Sequence, residues 1–463
     1  MRSVTAMTGH ILKYHNATSY TRHKMGGHYL DWGNQPSVFK GYPGIEPIPL
    51  SKEVDLPEQD LPSVIRWKGS EAAPRSLTAE DLSRIMLLTY TFTARARHGG
   101  GDFYYRSAAS AGALYPTELY VAACGIGGLD DGVYHFSIAH HGLNRLRKGA
   151  PWRAIMDAAP ASGIRAPALS FFLTAIFFRS AWKYRDRSYR YDLLDTGHVA
   201  ENLILALRAL DLPHVLTYDF DDREVNHLLG LDEEKEVCLA VCHVPGQERL
   251  NGDRSVRPEE LPSAVKAASR TALAEKGYAT VMEIHRKGEK VSHQKESGFS
   301  MSRELGPAPV NWERIKAPDL WLEAMPLARS VFRRRSRRNF VPDPLPRDSL
   351  TALIEALCTD LPERALRTPA RHEAVGVGLV VGNTGDMEPG FYLLDMAASS
   401  MALVAPGDQT GPMARVCLDQ AWLGNAAVHL LLMANLEKLE DCWGPRGYRY
   451  ALLEAGRMGE RIY

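Results

Sequence analysis

Short apolar runs alternate with helical patterns through most of the chain. The stretches 117–124, 169–178 and 237–244 are brief and rich in Val, Leu, Ile, Ala and Phe, which predicts buried strands. Between them Leu193, Leu194, Gly197, Ala200, Leu203, Ile204, Leu207 and Leu210 keep helical spacing, and Pro213 ends that helix. Residues 247–320 are charged and weakly periodic and predict a linker, with a helix around 264–276. Residues 1–60 are aromatic, His-rich and broken by proline. So many Tyr, Trp and Phe side chains predict an irregular extension packed on the fold.

The pattern occurs twice. The segment 187–197, RSYRYDLLDTG, returns as 446–456, RGYRYALLEAG, at a shift of 259 residues. That shift has the length of a domain, far beyond the period of a solenoid or propeller repeat. Leu77-Thr78-Ala79-Glu80-Asp81-Leu82 answers Leu345-Pro346-Arg347-Asp348-Ser349-Leu350, each opening an apolar helical pattern. Gly132-Val133-Tyr134-His135-Phe136 answers Gly390-Phe391-Tyr392-Leu393-Leu394 at a shift of 258. The first of these pairs sits at 268, so copy one holds about ten extra residues, expected near His98-Gly99-Gly100-Gly101. The expected organisation is an extension over 1–69, copy one over 70–246, a linker over 247–320 and a divergent copy two over 321–463. Copy one continues some 45 residues past Gly197 and copy two only seven past Gly456, so copy two either lacks that segment or is shortened here.

Composition narrows the class. A length of 463 residues suits two or three domains with real cores. Formal charge is zero, which gives no global field for nucleic acid or membrane. The six cysteines are scattered without a CxxC pair, against a disulfide framework or structural zinc, and no metal ligands are expected. No apolar run reaches spanning length and the N-terminus has no signal core, so the expected setting is cytoplasmic.

Four elements can carry chemistry. Arg333-Arg334-Arg335-Ser336-Arg337-Arg338 places five arginines in six residues, and guanidinium forks with a serine hydroxyl suit phosphate. A basic patch for nucleic acid or a solvated basic face would have the same composition. Ser110-Ala111-Gly112-Ala113-Leu114-Tyr115-Pro116 precedes a strand, and its small residues allow a flat ligand to approach the backbone; a tight structural turn is the bland alternative. Lys183-Tyr184 offers a general acid and base if burial tunes it, and a surface lysine beside a half-buried tyrosine otherwise. The repeated Tyr-Arg-Tyr and its helix read first as packing, with Asp195 and His198 near the helix start and His198 as a core histidine. Walker A, HExxH, GxSxG and strand-linked GxGxxG motifs are absent from the sequence.

Together these elements resemble the nitroreductase-like flavoproteins, and among them the SagB-type dehydrogenases that include azoline oxidases of thiazole/oxazole-modified peptides. Residues 110–116 match the SAGALYP motif, and 187–202 the YRYxLLExGHxxxN helix. Lys183-Tyr184 matches the Lys-Tyr pair of azoline oxidases, and Arg334, Ser336, Arg338 and Phe340 the RxSxRxF phosphate motif. The resemblance implies an α+β nitroreductase fold in two tandem copies forming an intramolecular pseudodimer, with FMN between them. It implies phosphate on Arg334, Ser336 and Arg338, and isoalloxazine against Ser110, Ala111, Gly112, Ala113, Leu114 and Tyr115. Copy one has Ala73-Pro74-Arg75-Ser76 in place of the arginine motif, and copy two has 373–378 in place of SAGALYP, so the opposite site is expected to be dead. The implied reaction oxidises an azoline in a ribosomally made peptide, with Tyr184, assisted by Lys183, taking the proton. Cyclase-type biosynthetic partners and further dimerisation fit this picture. Alternative readings are an NAD(P)H-dependent reductase of another small substrate and a degenerate, non-catalytic scaffold.

Overall fold

The computed structural model describes residues 9–21, 27–70, 74–98, 101–247, 257–291, 299–321, 324–359 and 372–463. Ala73, Gly99 and Gly100 of the stretches singled out above lie outside these residues.

Copy one is built on nine strands, seven of them in one main sheet. They are β1 (Ile48–Pro49), the separate hairpin β2 (Phe92–His98) and β3 (Gly101–Arg106), then β4 (Thr117–Ala123), β5 (Gly132–Ser137), β6 (Gly142–Lys148), β7 (Pro167–Ile176), β8 (Val215–Thr217) and β9 (Glu236–Pro245). The main sheet runs β1-β6-β5-β4-β7-β9-β8 with every pair antiparallel. Copy two has β10 (Glu313–Arg314), β11 (Gly376–Val381), β12 (Gly390–Asp395), β13 (Ser400–Pro406) and β14 (Val428–Met433). Its order β10-β13-β12-β11-β14 reproduces β1-β6-β5-β4-β7 strand for strand. The paired glycines found in the sequence, Gly132 and Gly390, start the equivalent strands β5 and β12. The extra residues of copy one are expected where the β2–β3 hairpin stands; the corresponding stretch of copy two, 360–371, lies outside the described residues.

Four helices fix the relation between the copies: α1 (Ala79–Thr89), α2 (Ser188–Ala209), α3 (Arg347–Cys358) and α4 (Gly447–Ile462). Asp81 and Thr78 close a capping box at the start of α1, which satisfies two N–H groups that the helix itself leaves free. α2 and α4 are the duplicated YRY helices and pack on each other at their repeated glycines. A Cβ at Gly197 would strike the Leu453 carbonyl oxygen and lie 2.9 Å from Gly456 Cα. A Cβ at Gly456 would strike the Leu194 carbonyl oxygen and lie 3.0 Å from Gly197 Cα. Each glycine is thus the notch for the other, as a pseudo-twofold axis through the crossing demands. α2 is buried on nearly all sides because one face meets β7 and β9 and the other meets α4. One continuous core joins Leu82, Tyr134 and Leu203 of copy one to Val377, Trp443 and Leu453 of copy two.

Several boundaries differ from the sequence reading. The apolar run 169–178 is not one strand: β7 ends at Ile176, and Phe177 and Phe178 open the helix Phe177–Tyr184. Periodicity does not separate a buried strand from the first turn of a buried helix. The helix expected over 264–276 covers only Ser263–Ala267, and a second helix, Ala279–Lys287, follows it. The segment between the copies does not run free: Val281, Ile284 and Met301 are buried in the shared core. The stretch 373–378 is not the counterpart of SAGALYP. Val381 faces Gly390 as Ala123 faces Gly132, so Gly376 already opens β11 and the counterpart of that loop comes before it. The N-terminal extension is structural, with Ile11 and Tyr14 in the core and Lys40 buried against Glu236 and the Tyr120 hydroxyl, 2.7 Å away.

Candidate functional site

The loop Ser110–Pro116 joins the end of β3 to β4 and is held in an unusual shape. Gly112, Ala113 and Tyr115 have φ of +65°, +54° and +49°, and the last two are non-glycine residues in a costly region of backbone space. Side chains impose this shape. The Ser110 hydroxyl accepts the Tyr115 N–H at 2.9 Å and donates to Asp195 Oδ2 at 2.6 Å. The Ala111 N–H donates to Asp195 Oδ1 at 3.1 Å. Arg179 donates to the Tyr115 carbonyl at 3.0 Å and to Glu118 at 2.5 Å. The Arg106 guanidinium lies 4.5 Å over the Tyr115 ring, and Leu114 packs with Phe178 and Trp182. Leu114 and Tyr115 are therefore anchors of the loop, while Gly112 is its exposed tip.

Lys183 and Tyr184 end the helix Phe177–Tyr184, where Arg185 turns the chain with φ +51°. Both functional atoms lie against the loop tip: a Cβ at Gly112 would be 2.7 Å from Tyr184 Oη and 3.0 Å from Lys183 Nζ. Tyr184 also packs on Tyr191, with ring centroids 4.2 Å apart. Burial, and then the Tyr191 and Asp195 oxygens, push the Tyr184 hydroxyl far above the ordinary phenol range, so it holds its proton.

The arginine run arrives from copy two. The helix Leu327–Arg333 ends just before it, and Arg334 donates to the Ser107 carbonyl at 2.6 Å and the Arg106 carbonyl at 3.2 Å. Arg334 Nε lies 3.9 Å from Glu460 of α4, and Nη1 is buried with no partner. Arg335 is used internally, donating to the Thr93 carbonyl at 2.9 Å. Ser336 Oγ sits 3.5 Å from the Tyr463 hydroxyl, and Arg338 is exposed. The fold thus sets Arg334 just ahead of the Ser110–Tyr115 loop, whose tip meets Lys183 and Tyr184, while Arg338 is exposed.

Two carboxylates that the sequence reading gave no site role stand between these parts. Asp195 of α2 holds the loop from below, and Glu460 of α4 accepts the Ala109 N–H at 3.4 Å. Burial raises Asp195 to about 6 and Glu460 to about 7. The signal for both lay in the duplication: at a shift of 259, Asp195 answers Glu454 and Glu201 answers Glu460. His198 is half-buried with Nδ1 2.8 Å from the Leu194 carbonyl, and desolvation lowers its pKa.

On the far side of the pseudo-twofold axis the equivalents have turned to packing. Glu201 is gripped by Arg457 at 2.9 Å and Arg461 at 2.6 Å, residues that replace His198 and Asn202 of copy one. Arg457 also binds Glu454 at 3.0 Å. Cys442 and Trp443 stand where Lys183 and Tyr184 do, and Trp443 is fully buried. Arg75 pairs with Asp81 at the start of α1. Among the described residues no group of His, Cys, Asp or Glu could hold a metal ion, and no helix is long and apolar enough to cross a membrane.

Comparison with known proteins agrees with this architecture. The Nitroreductase family model matches residues 72–246 and 331–463, the two copies. The trifolitoxin-processing protein TfxB of Rhizobium leguminosarum bv. trifolii is 30% identical over 215 residues, 42% of this chain and 57% of that protein. The chain thus spans little more than half the length of that relative. MJ1384, a nitroreductase-like protein of Methanocaldococcus jannaschii, is 29% identical over 182 residues, 39% of this chain and 88% of that protein. A crystal structure of a nitroreductase-like protein from Anabaena variabilis superimposes with a TM-score of 0.75 at 24% identity, covering 98% of this chain and 91% of that one, and shares its fold. With both copies matched and their strands in the same order, the chain belongs to the Nitroreductase family and carries its fold in tandem.

Proposed function

We propose that the chain is an FMN-dependent oxidoreductase that oxidises azoline rings to azoles in a ribosomally made peptide, with one working flavin site. The observation that carries this reading is Arg334 of copy two bonded to the Arg106 and Ser107 carbonyls of copy one, just ahead of the Ser110–Tyr115 loop, whose tip at Gly112 lies against Lys183 and Tyr184. FMN fits these residues. Arg334 has a buried, unpartnered Nη1, and the arginine run continues to Ser336 and Arg338 at the surface. A loop with Gly112 at its exposed tip allows a flat ring system to approach. Arg334, Ser336 and Arg338 would hold the phosphate, and Ser110, Ala111, Gly112, Ala113, Leu114 and Tyr115 would form the ring platform. When bound, FMN supplies the acceptor for the two electrons and one hydrogen that leave the azoline as hydride. The second hydrogen leaves as a proton, and Lys183 with Tyr184, beside the loop tip, would manage it. Similarity to a protein named for trifolitoxin processing supports a peptide substrate and biosynthetic partner proteins such as a cyclase.

One observation favours a second reading. Because Tyr184 holds its proton, it is better suited to give a proton than to take one. In the oxidation Tyr184 must first give up that proton before it can take one, with Lys183 beside it assisting. In an NAD(P)H-dependent reduction of another substrate, Tyr184 would donate directly. Lys183→Ala and Tyr184→Phe are expected to keep the visible flavin spectrum and to lose about 10²–10⁴-fold in turnover on an azoline peptide. Unchanged turnover in both would remove the pair from the reaction. Rapid bleaching of the flavin by NAD(P)H, with no azole formed, would select the second reading.

A further inference from the structure

Asp195 and Glu460 come from equivalent helices, α2 and α4, and meet the same loop from either side of the pseudo-twofold axis. Neither belongs to the loop motif, the arginine run or the Lys-Tyr pair. Both are buried, which is an expensive place for a carboxylate. A fold selected only for stability would place amides or apolar groups there. The carboxylates do something an apolar group cannot: Asp195 accepts both the Ser110 hydroxyl and the Ala111 N–H, and Glu460 accepts the Ala109 N–H. Those bonds restrain the segment whose Ala113 and Tyr115 stand at positive φ. Glu460 also faces Arg334, so it connects the loop to the phosphate-binding arm.

We infer that Asp195 and Glu460 form a split carboxylate clamp, one jaw from each copy, which positions the Ser110–Tyr115 loop for flavin and makes flavin affinity depend on pH. This rests on the flavin reading above and goes beyond it by assigning two positioning residues and a regulatory consequence. The surroundings of each jaw set the direction. Asp195 faces Ser110 and Ala111 on the loop, Asp192 and His198 on α2, Tyr184 on the preceding helix, and Glu460. Glu460 faces Arg334, Ala109, Asn202, Glu201 and Asp195. Protonation removes the charge-assisted bonds to the loop and leaves Arg334 without its nearby counter-charge. Acidification through the range about 7 to 6 therefore loosens the loop and weakens flavin binding. Stability moves the other way. Both groups have raised pKa values, so their ionisation costs folding free energy as pH rises from the ordinary carboxylate range to about 7. The clamp is thus kept at the expense of stability, as expected of a positioning device.

The test uses the full chain with Asp195→Asn, Glu460→Gln and the double variant. Riboflavin serves as one probe because it lacks the phosphate and its titration, with FMN as the other. In the wild type, riboflavin affinity is expected to fall about tenfold from pH 8 to pH 5.5, and each variant is expected to flatten that profile and to bind about tenfold more weakly at pH 8. Amide hydrogen exchange of flavin-free protein gives an independent readout: residues 109–115 should exchange about tenfold faster in Asp195→Asn. Melting temperature at pH 8 should rise in the same variant, where a purely structural role would lower it. Unchanged loop exchange with an unchanged pH profile would overturn the clamp. A wild type that takes up neither flavin, yet shows the exchange difference, would instead sink the flavin reading and leave the clamp standing.

Discussion

The repeated YRY segment carries two arginines in each copy, and they are used for different purposes. In copy one Arg187 and Arg190 hold the N-terminal extension. Arg187 donates to the Thr18 carbonyl at 2.8 Å, and Arg190 reaches the Thr18 hydroxyl at 2.7 Å and the His15 carbonyl. In copy two the equivalent Arg446 and Arg449 grip copy one itself. Both bind the carboxylate of Asp222, at 3.0 and 2.8 Å, and Arg446 also donates to the Tyr218 carbonyl at 2.7 Å. The difference follows from the residues past α2. Copy one continues into β8, the helix Asp222–Leu229 and β9, and this continuation supplies Asp222 and Tyr218 as partners. One motif thus became a strap for the extension and a bolt between the copies. Burial lowers the Arg190 pKa, where only neutral groups accept its bonds. Burial opposes the charge of Arg449 too, but the Asp222 carboxylate overcomes it and the pKa rises.

The largest test of this contrast is the bolt. Asp222→Ala leaves two buried guanidinium groups unpaired and should cost about 3–5 kcal/mol in denaturant unfolding. Thr18→Val, which cuts the strap, should cost only about 1 kcal/mol because neutral acceptors remain. Equal losses would erase the distinction between bolt and strap. Burial raises Asp222, but Arg449 and Arg446 more than reverse this and leave it below the ordinary carboxylate range. Its contribution is therefore present at neutral pH and is lost only under strong acid, as pH falls through that lowered value.

The next contrast concerns flavin. Arg334→Ala combined with Arg338→Ala should weaken FMN binding more than a hundredfold, two charge-assisted contacts being worth about 1.5–3 kcal/mol each. Arg75→Ala on the opposite side should leave FMN binding unchanged and remove only a half-exposed pair with Asp81, worth about 0.2–1 kcal/mol. A flavin titration of the three variants decides it, and loss of binding in Arg75→Ala would mean that the second site is not dead.

The helix crossing should behave symmetrically. Gly197→Ala and Gly456→Ala each force the helices apart and should cost about 1–3 kcal/mol. Their double mutant should cost less than the sum, because one separation relieves both clashes. Additive losses would show that the two glycines do not share one crossing.

The smallest expected effect is acid sensitivity, which copy one carries through His243 on β9. Burial lowers His243 to about 4, and its ring lies 2.8 Å from the Ser170 hydroxyl and 2.9 Å from the Ala159 carbonyl. A depressed histidine contributes stability that is full above about pH 6.5 and is lost as pH falls toward 4. His243→Asn should therefore flatten the acid limb, with a relative gain of about 1–2 kcal/mol at pH 5. Melting curves at pH 7.5 and 5 suffice to measure it.

Much of the molecule was legible in its sequence. The duplication and the helix with its repeated glycine follow from spacing that repeats 258 or 259 residues later, and the strands at 117–124 and 237–244 from their short apolar runs. The loop, the arginine run and the Lys-Tyr pair were also visible, because each concentrates an unusual residue set in a few positions. What stayed hidden was contact between distant elements. The composition of 247–320 looks like a linker, and nothing local shows that Val281 and Ile284 enter the core. Asp195 and Glu460 look like ordinary helix surface residues until the loop is laid against them.

The sequence by itself therefore determined the inventory: two copies of one pattern, an extension, and four chemical motifs divided between the halves. Periodicity and local residue chemistry are short-range properties, and a sequence records them directly. Only the tertiary structure decided which carboxylates face the loop, as Asp195 and Glu460 do, and which sit in ion pairs, as Glu201 and Glu454 do. Those choices depend on residues some 230–350 positions apart, such as Arg334 with Ser107 and Glu460 with Ala109. The fold brings such residues together by burying a shared core around the Gly197–Gly456 crossing.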